Sequence, residues 1–196
     1  SNSKTDSSNY FTDKDKDTSY DESKASTVKL SGSSASVSGD GVAVSGSTVT
    51  ISKAGTYVIS GESDGVQIKV EAGDSDDVHI VLKGVTMTNT NAPISATKAG
   101  HVYLTLADGT TNTLSDSSSN NDEDADAVIF SKGDLTINGS GTLNIDAKKN
   151  NGIKANDTLH ITGGTYKITA VGDAFNVNDE LNITGTTMTI DADEDA

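Results

Sequence analysis

The chain has 196 residues and a formal net charge of -15, with 14 basic side chains, all of them Lys, against 29 acidic ones. That balance repels a phosphate backbone and excludes nucleic acid as a partner; the absence of Cys excludes disulfides and thiolate metal sites. No apolar run is long enough to cross a membrane, no signal-peptide pattern stands out, and with 33% hydrophobic residues any core must be thin.

Residues 1–27 read as a polar tether, with the first eight residues disordered. Three of the eight aromatic residues, Tyr10, Phe11 and Tyr20, fall within it, so its later part is expected to pack as an N-terminal cap over the first coil of the domain that follows. Asp13, Asp15 and Asp17 match the first half of a helix-loop-helix calcium loop, but Thr18 stands where Gly is required and Lys24 where the bidentate Glu belongs. They read as a solvated charge run.

Residues 28–196 form the domain. Apolar residues alternate with polar ones over short stretches, predicting strands near 49–51, 57–59, 78–82, 85–87 and 102–106, and no segment carries a helical period. Pro93 sits at a strand start, where its missing N–H is tolerated. Residues 115–126, SDSSSNNDEDAD, read as an acidic loop inserted at a corner.

The last third repeats itself. Heads at Asp126, Asn151, Asp173 and Asp195 follow one another at spacings of 25, 22 and 22, and earlier heads at Asp40, Asp64 and Asn91 extend the series. Within a layer the inward residues come in pairs, such as Ile153 and Ala155, Leu159 and Ile161, Tyr166 and Ile168. Three short strands and three turns per layer predict an all-β, right-handed parallel β-helix of about six coils of 22–35 residues, with three parallel sheets.

Stacking also brings the heads together. Asp173 and Asp195 would lie about 5 Å apart, a repulsion of about 3 kcal/mol at an effective dielectric of 20. Outward splay, a raised pKa or a bound cation would relieve it; alternatively Asp and Asn simply open tight turns by bonding backbone N–H groups. Asp146 and Asp191 end the third strand of their layers, and Asp193 stands beside Asp195 at the chain end.

The stretches STVTISKAGTYVISG, DVHIVLKGVTMTN, TLADGTTNTLSD, FSKGDLTINGSGTLNI and NNGIKANDTLHITGGT, in this order, resemble the carbohydrate-binding, polysaccharide-lyase-like β-helix proteins of cell surfaces, over about residues 10–196. The resemblance implies structural calcium, recognition of cellulose and of acidic, pectin-type sugars, and further coils after Asp195. On that basis calcium is assigned to Asp126, Asp146, Asn151, Asp173, Asp191, Asp193 and Asp195. Ligand contacts are expected from the outward residues Tyr103, Lys154, Asn176 and Lys167, with Lys154 and Asn176 in one column, His160 and Asn182 in another, and Asn144 and Lys167 in a third.

The resulting expectation is an extracellular or cell-surface protein, secreted or lipoprotein-tethered, that binds plant cell-wall polysaccharide without turning it over. Polygalacturonate suits a chain without Trp better than a flat cellulose strip. Two rivals stand beside it. One is a calcium-assisted lyase, for which Lys154 is the one candidate base and a poor one among carboxylates. The other is a surface adhesin or spacer for protein ligands. His79 and His160 lack the further ligands a zinc site needs and read as surface residues.

Overall fold

The computed structural model describes residues 10–196; the disorder expected of the first eight residues lies outside that range. Alternating Val, Ile and Thr suit a pleated, half-buried surface, and strands occupy most of the chain. After one helical turn, α1 (Asp13–Lys16), come β1 (Ser26–Gly32), β2 (Ser34–Ser38), β3 (Val42–Ser45), β4 (Thr48–Ile51), β5 (Gly55–Asp64), β6 (Gln67–Glu71) and β7 (Asp77–Thr88). Then follow β8 (Ile94–Lys98), β9 (His101–Leu106), β10 (Thr111–Ser115), β11 (Ala127–Ser131), β12 (Asp134–Gly139) and β13 (Thr142–Ala147). The last two layers supply β14 (Asn151–Ala155), β15 (Thr158–Thr162), β16 (Thr165–Ala170), β17 (Phe175–Val177), β18 (Glu180–Thr184) and β19 (Thr187–Ala192).

These strands belong to two sheets. A 12-stranded sheet runs β18-β15-β12-β9-β7-β10-β13-β16-β19, with β5, β1 and β2 added beside β7; a 7-stranded sheet runs β17-β14-β11-β8-β6-β4-β3. Pairing is parallel except where the chain begins, in the antiparallel pairs β1–β2 and β3–β4. The expected right-handed parallel β-helix with three sheets is therefore corrected to an all-β fold of one curled 12-stranded sheet facing a 7-stranded one.

The physical reason lies at one corner. β5 and β7 do not stop there: the first half of β7 pairs with β9 and its second half with β10, so two flanks read as separate strands form one bent sheet. Gly84 makes the bend at φ +79°, a left-handed conformation that L side chains rarely adopt. The fully buried Asn112 holds it: its side-chain oxygen accepts from the N–H groups of Gly84 at 3.0 Å and Val85 at 2.9 Å. Its amide donates to the Thr142 carbonyl at 3.2 Å. After β9 a turn at 107–110 replaces the bend and the flanks separate.

The layers stack in register, which places like upon like. Leu135, Leu159 and Leu181 form one column, Ile137, Ile161 and Ile183 the next, and Ile145, Ile168 and Ile190 another. One apolar column of contacts runs from Val28 to Phe175, and each fully buried Ile or Leu in it contributes about 1.5–3 kcal/mol. Burial falls off at the last layer, where Leu181 is 38% and Ile183 39% exposed.

The N-terminal segment packs Tyr20 and Ala25 against Val58 of β5 and Val81 of β7. It crosses the outer face of the 12-stranded sheet, with α1 on β12 and β15, and the hairpin β1–β2 lies at the start.

Replacing Asn112 by Ala would strand the buried N–H groups of Gly84 and Val85 at the bend. The expected loss is about 2–4 kcal/mol of unfolding free energy in urea titration.

Candidate functional site

The repeat heads do stack, but backbone amides take their oxygens. The Asn151 side-chain oxygen accepts from the Asp173 N–H at 3.2 Å, and the Asp173 carboxylate accepts from the Asp195 N–H at 3.1 Å. Asn176 donates its amide to Asp173 at 3.2 Å. One head earlier, Asp126 accepts from Lys154 Nζ at 2.9 Å and from the Asn150 amide at 2.6 Å. Lys154 also donates to the Asp124 carbonyl at 3.0 Å, and its ammonium lies over the Phe130 ring.

Of the residues assigned to calcium, this corner gathers Asp126, Asn151, Asp173 and Asp195. Asp146 and Asp191 lie on the outer face of β13 and β19, separated by Thr169 of β16, and Asp193 is exposed near the chain end. Among the described residues no three carboxylates or imidazoles converge on one point. The oxygens of Asp126, Asn151 and Asp173, already bonded to N–H groups and to Lys154, do not fit a resident calcium.

The columns expected on the outside are present: Lys154 with Asn176, His160 with Asn182, Asn144 with Lys167. Lys167 is exposed. Tyr103 differs. It points outward from β9 yet is only 8% exposed, because its ring stacks on His101 at 4.0 Å and Lys14 of the N-terminal segment lies over it at 4.9 Å. Burial, and after it the charges of Asp77, Asp15 and Asp134, push its hydroxyl up to about 12.

The acidic insertion is anchored. Asp116, 3% exposed, accepts from the Lys148 N–H at 2.7 Å and from the Asn120 amide at 3.1 Å, tying the loop to the next layer. Burial raises its carboxyl pKa despite these bonds. Ala92, Ala125 and Phe130 pack beneath. The loop thereby forms one wall of a groove of about 640 Å³, walled by Ser119, Asn121 and Glu123 and completed by Asp126, Lys149 and Asn150.

A second polar assembly joins the N-terminal segment to β9, β12 and β15. Asp15, 1% exposed, accepts from the Thr136 hydroxyl at 2.7 Å, His160 Nδ1 at 2.9 Å and the Thr12 N–H at 2.9 Å. Burial pushes its pKa up, but the bonds from Thr12, Thr136 and His160 and the charge of His160 outweigh burial and hold it below the usual carboxylate range. Asn138 donates to the carbonyls of Asp15 at 3.1 Å and Asp17 at 3.0 Å, and Thr162 donates to the Asp15 carbonyl at 3.0 Å. Beneath them His101 Nε2 meets Thr136 and His79 Nε2 meets Thr105, each at 2.7 Å. Burial lowers the pKa of both histidines; Asp17 opposes it at His79, and Asp134, Asp15 and Asp77 oppose it at His101.

Residues 45–196 match the family described as carbohydrate-binding domain-containing protein. The chain belongs to that family. A carbohydrate-binding domain-containing protein of Acetivibrio thermocellus is 39% identical over 126 residues, 61% of this chain and 44% of the relative, so the chain spans less than half of that relative's length. A polysaccharide lyase-like protein from C. thermocellum, solved as a gadolinium derivative, superposes with a TM-score of 0.76 at 32% identity, covering 86% of this chain and 82% of that one.

The repeat spacing signalled the head corner of this carbohydrate-binding domain. The assembly around Asp15 carried no such signal, since its partners lie 121 and 145 residues away and follow no period. His79 and His160, read as surface residues, are both hydrogen-bonded beneath the N-terminal segment.

Substituting Lys154 by Met removes the cation from the half-buried Asp126, whose side chain is 28% exposed. A loss of about 1–3 kcal/mol is expected, read by urea titration, with D126N/K154M recovering part of it. The acid response also has a defined sign. His79 and His101 contribute stability in full above their unfolded pKa of about 6.5 and lose it as pH falls through their depressed folded values. Asp15 follows below its unfolded value of about 3.9. The melting temperature should drop from about pH 7 to about pH 5, and H101N should flatten that part of the profile.

Proposed function

We propose that this domain binds acidic, pectin-type polysaccharide outside the cell or at its surface, without cleaving it. The observation that carries the reading is the groove between the 115–126 loop and the heads, in a chain whose family is carbohydrate-binding. Lys149 offers a donor to a uronate carboxylate, while Asp122 and Glu123 offer acceptors to sugar hydroxyls. A uronate needs both kinds of partner side by side. The one outward aromatic of β9, Tyr103, is covered, so the stacking strip that flat cellulose favours lacks its platform.

Calcium enters this proposal as a bridging ion. A hard cation takes six to eight oxygens, and the sugar's carboxylates would share it with acidic residues such as the part-buried Asp122 and the exposed Asp191, Asp193 and Asp195. Such sharing lets a chain of charge -15 hold a polyanion.

The test is affinity electrophoresis of the whole chain through polygalacturonate, hydroxyethylcellulose and xylan gels, each with calcium and with EDTA. Retardation by polygalacturonate, stronger with calcium, is expected, with no ultraviolet-absorbing unsaturated uronide in a parallel digest. Release of that uronide would instead make the protein a lyase, and passage through every gel unretarded would point to a protein ligand.

A further inference from the structure

We infer that the outer face of β9, β12 and β15 is a second sugar seat, selective for a carboxylate-bearing pyranose, and that the strap 12–19 occupies it in cis. This rests on the reading that the domain binds acidic sugars.

The seat is built from donors of fixed polarity. Each threonine hydroxyl has one proton. Thr136 gives its proton to Asp15 and therefore accepts from His101 Nε2; Thr105 gives its own to the Asn138 oxygen and therefore accepts from His79 Nε2. The two histidines thus orient the network so that the groups of β12 and β15 that bond the strap all donate: the Thr136 hydroxyl, His160 Nδ1, the Asn138 amide and the Thr162 hydroxyl. A row of donors calls for a ligand rich in acceptors. The strap supplies them through one carboxylate and two carbonyls.

Beside this row lies the Tyr103 ring, stacked on His101 and covered by Lys14, in the position a pyranose face would take. The strap thus reproduces three features of a uronate unit: an anion, neighbouring oxygen acceptors and a cover for an aromatic plane. Exchange of Asp15 for a sugar carboxylate leaves the charge of the seat unchanged. Space is already present: a cavity of about 310 Å³ lies between the strap and the sheet, bounded by Asp15, His101, Tyr103, Asp134, Thr158 and Glu180.

Two further observations separate strap from seat. The apolar core is complete without the strap, since its contacts begin at Val28. The family match begins at residue 45, so it includes the seat and leaves the strap out. On the neighbouring strand Asn182, in register with His160, has a buried side-chain nitrogen that bonds no group among the described residues, a further donor on the same face.

The experiment uses the full chain at constant calcium. Asp15→Ala should speed trypsin cleavage after Lys14 and Lys16 and tighten binding of trigalacturonate about tenfold in calorimetry, as expected when an occupant that closes about nine-tenths of the molecules is unseated. Cellotriose binding should stay unchanged, and adding His160→Ala should reverse the gain. Saturating trigalacturonate should also speed trypsin cleavage of the unsubstituted chain; an unchanged rate overturns the proposal even if Asp15→Ala folds poorly. Faster cleavage of Asp15→Ala without tighter binding overturns it too. If the unsubstituted chain still binds polygalacturonate in that case, only the second seat is lost. If neither protein binds any acidic sugar, the proposed function falls with it.

Discussion

Every layer of this fold must tolerate a copy of itself about 4.8 Å away. That constraint decides which residue types each column can hold. Aliphatic columns satisfy it without effort, and Leu135, Leu159 and Leu181 repeat unchanged. Carboxylate columns do not, because stacked like charges repel. The heads meet the constraint by setting Asn151 between Asp126 and Asp173 and by giving the side-chain oxygens of Asn151 and Asp173 the N–H of the next head. Where Asp126 faces the same problem, Lys154 neutralises it. Stacking also explains how 33% hydrophobic residues suffice: a narrow column shared by all layers needs few side chains per layer.

The same constraint sets what could be read from the chain. Period-two alternation and a 22-residue spacing are local properties, so the last two layers and the outer columns, such as Lys154 with Asn176, followed from the sequence. The sheet count did not. Whether a corner is a turn or a bend depends on Asn112 reaching back 28 and 27 residues to the N–H groups of Gly84 and Val85, and alternation over 78–82 and 85–87 looks the same in both cases. The first layers also contain antiparallel pairs that no repeat announces.

For the candidate site the division is similar. Stacking made the gathering of the heads legible, whereas the state of their oxygens depends on backbone geometry that composition does not carry. Tyr103 illustrates the difference. Its outward direction was legible from the alternation with Val102 and Leu104; its cover by Lys14 was not, because that contact joins a polar segment to a polar face. Such contacts leave no hydrophobic pattern, and polar recognition of this kind becomes visible only when donors and acceptors are placed in space.

Placing them separates two ways of using carboxylates in a chain of charge -15. At the corner, Asp126 and Asp173 spend their bonding capacity inward, on Lys154, Asn150, Asn176 and the backbone, and so stabilise the stack. On the outer face of β12 and β15, a single carboxylate, Asp15, is taken out of water and held by donors from two successive strands. Taking a carboxylate out of water is unfavourable unless its acceptors are matched, and here they are matched by side chains of strands that the core already holds fixed. The sheet therefore carries a rigid set of donors whose orientation comes from His79 and His101 beneath. Such a surface is preorganised for an anion with flanking oxygens, which in this chain is a segment of its own backbone.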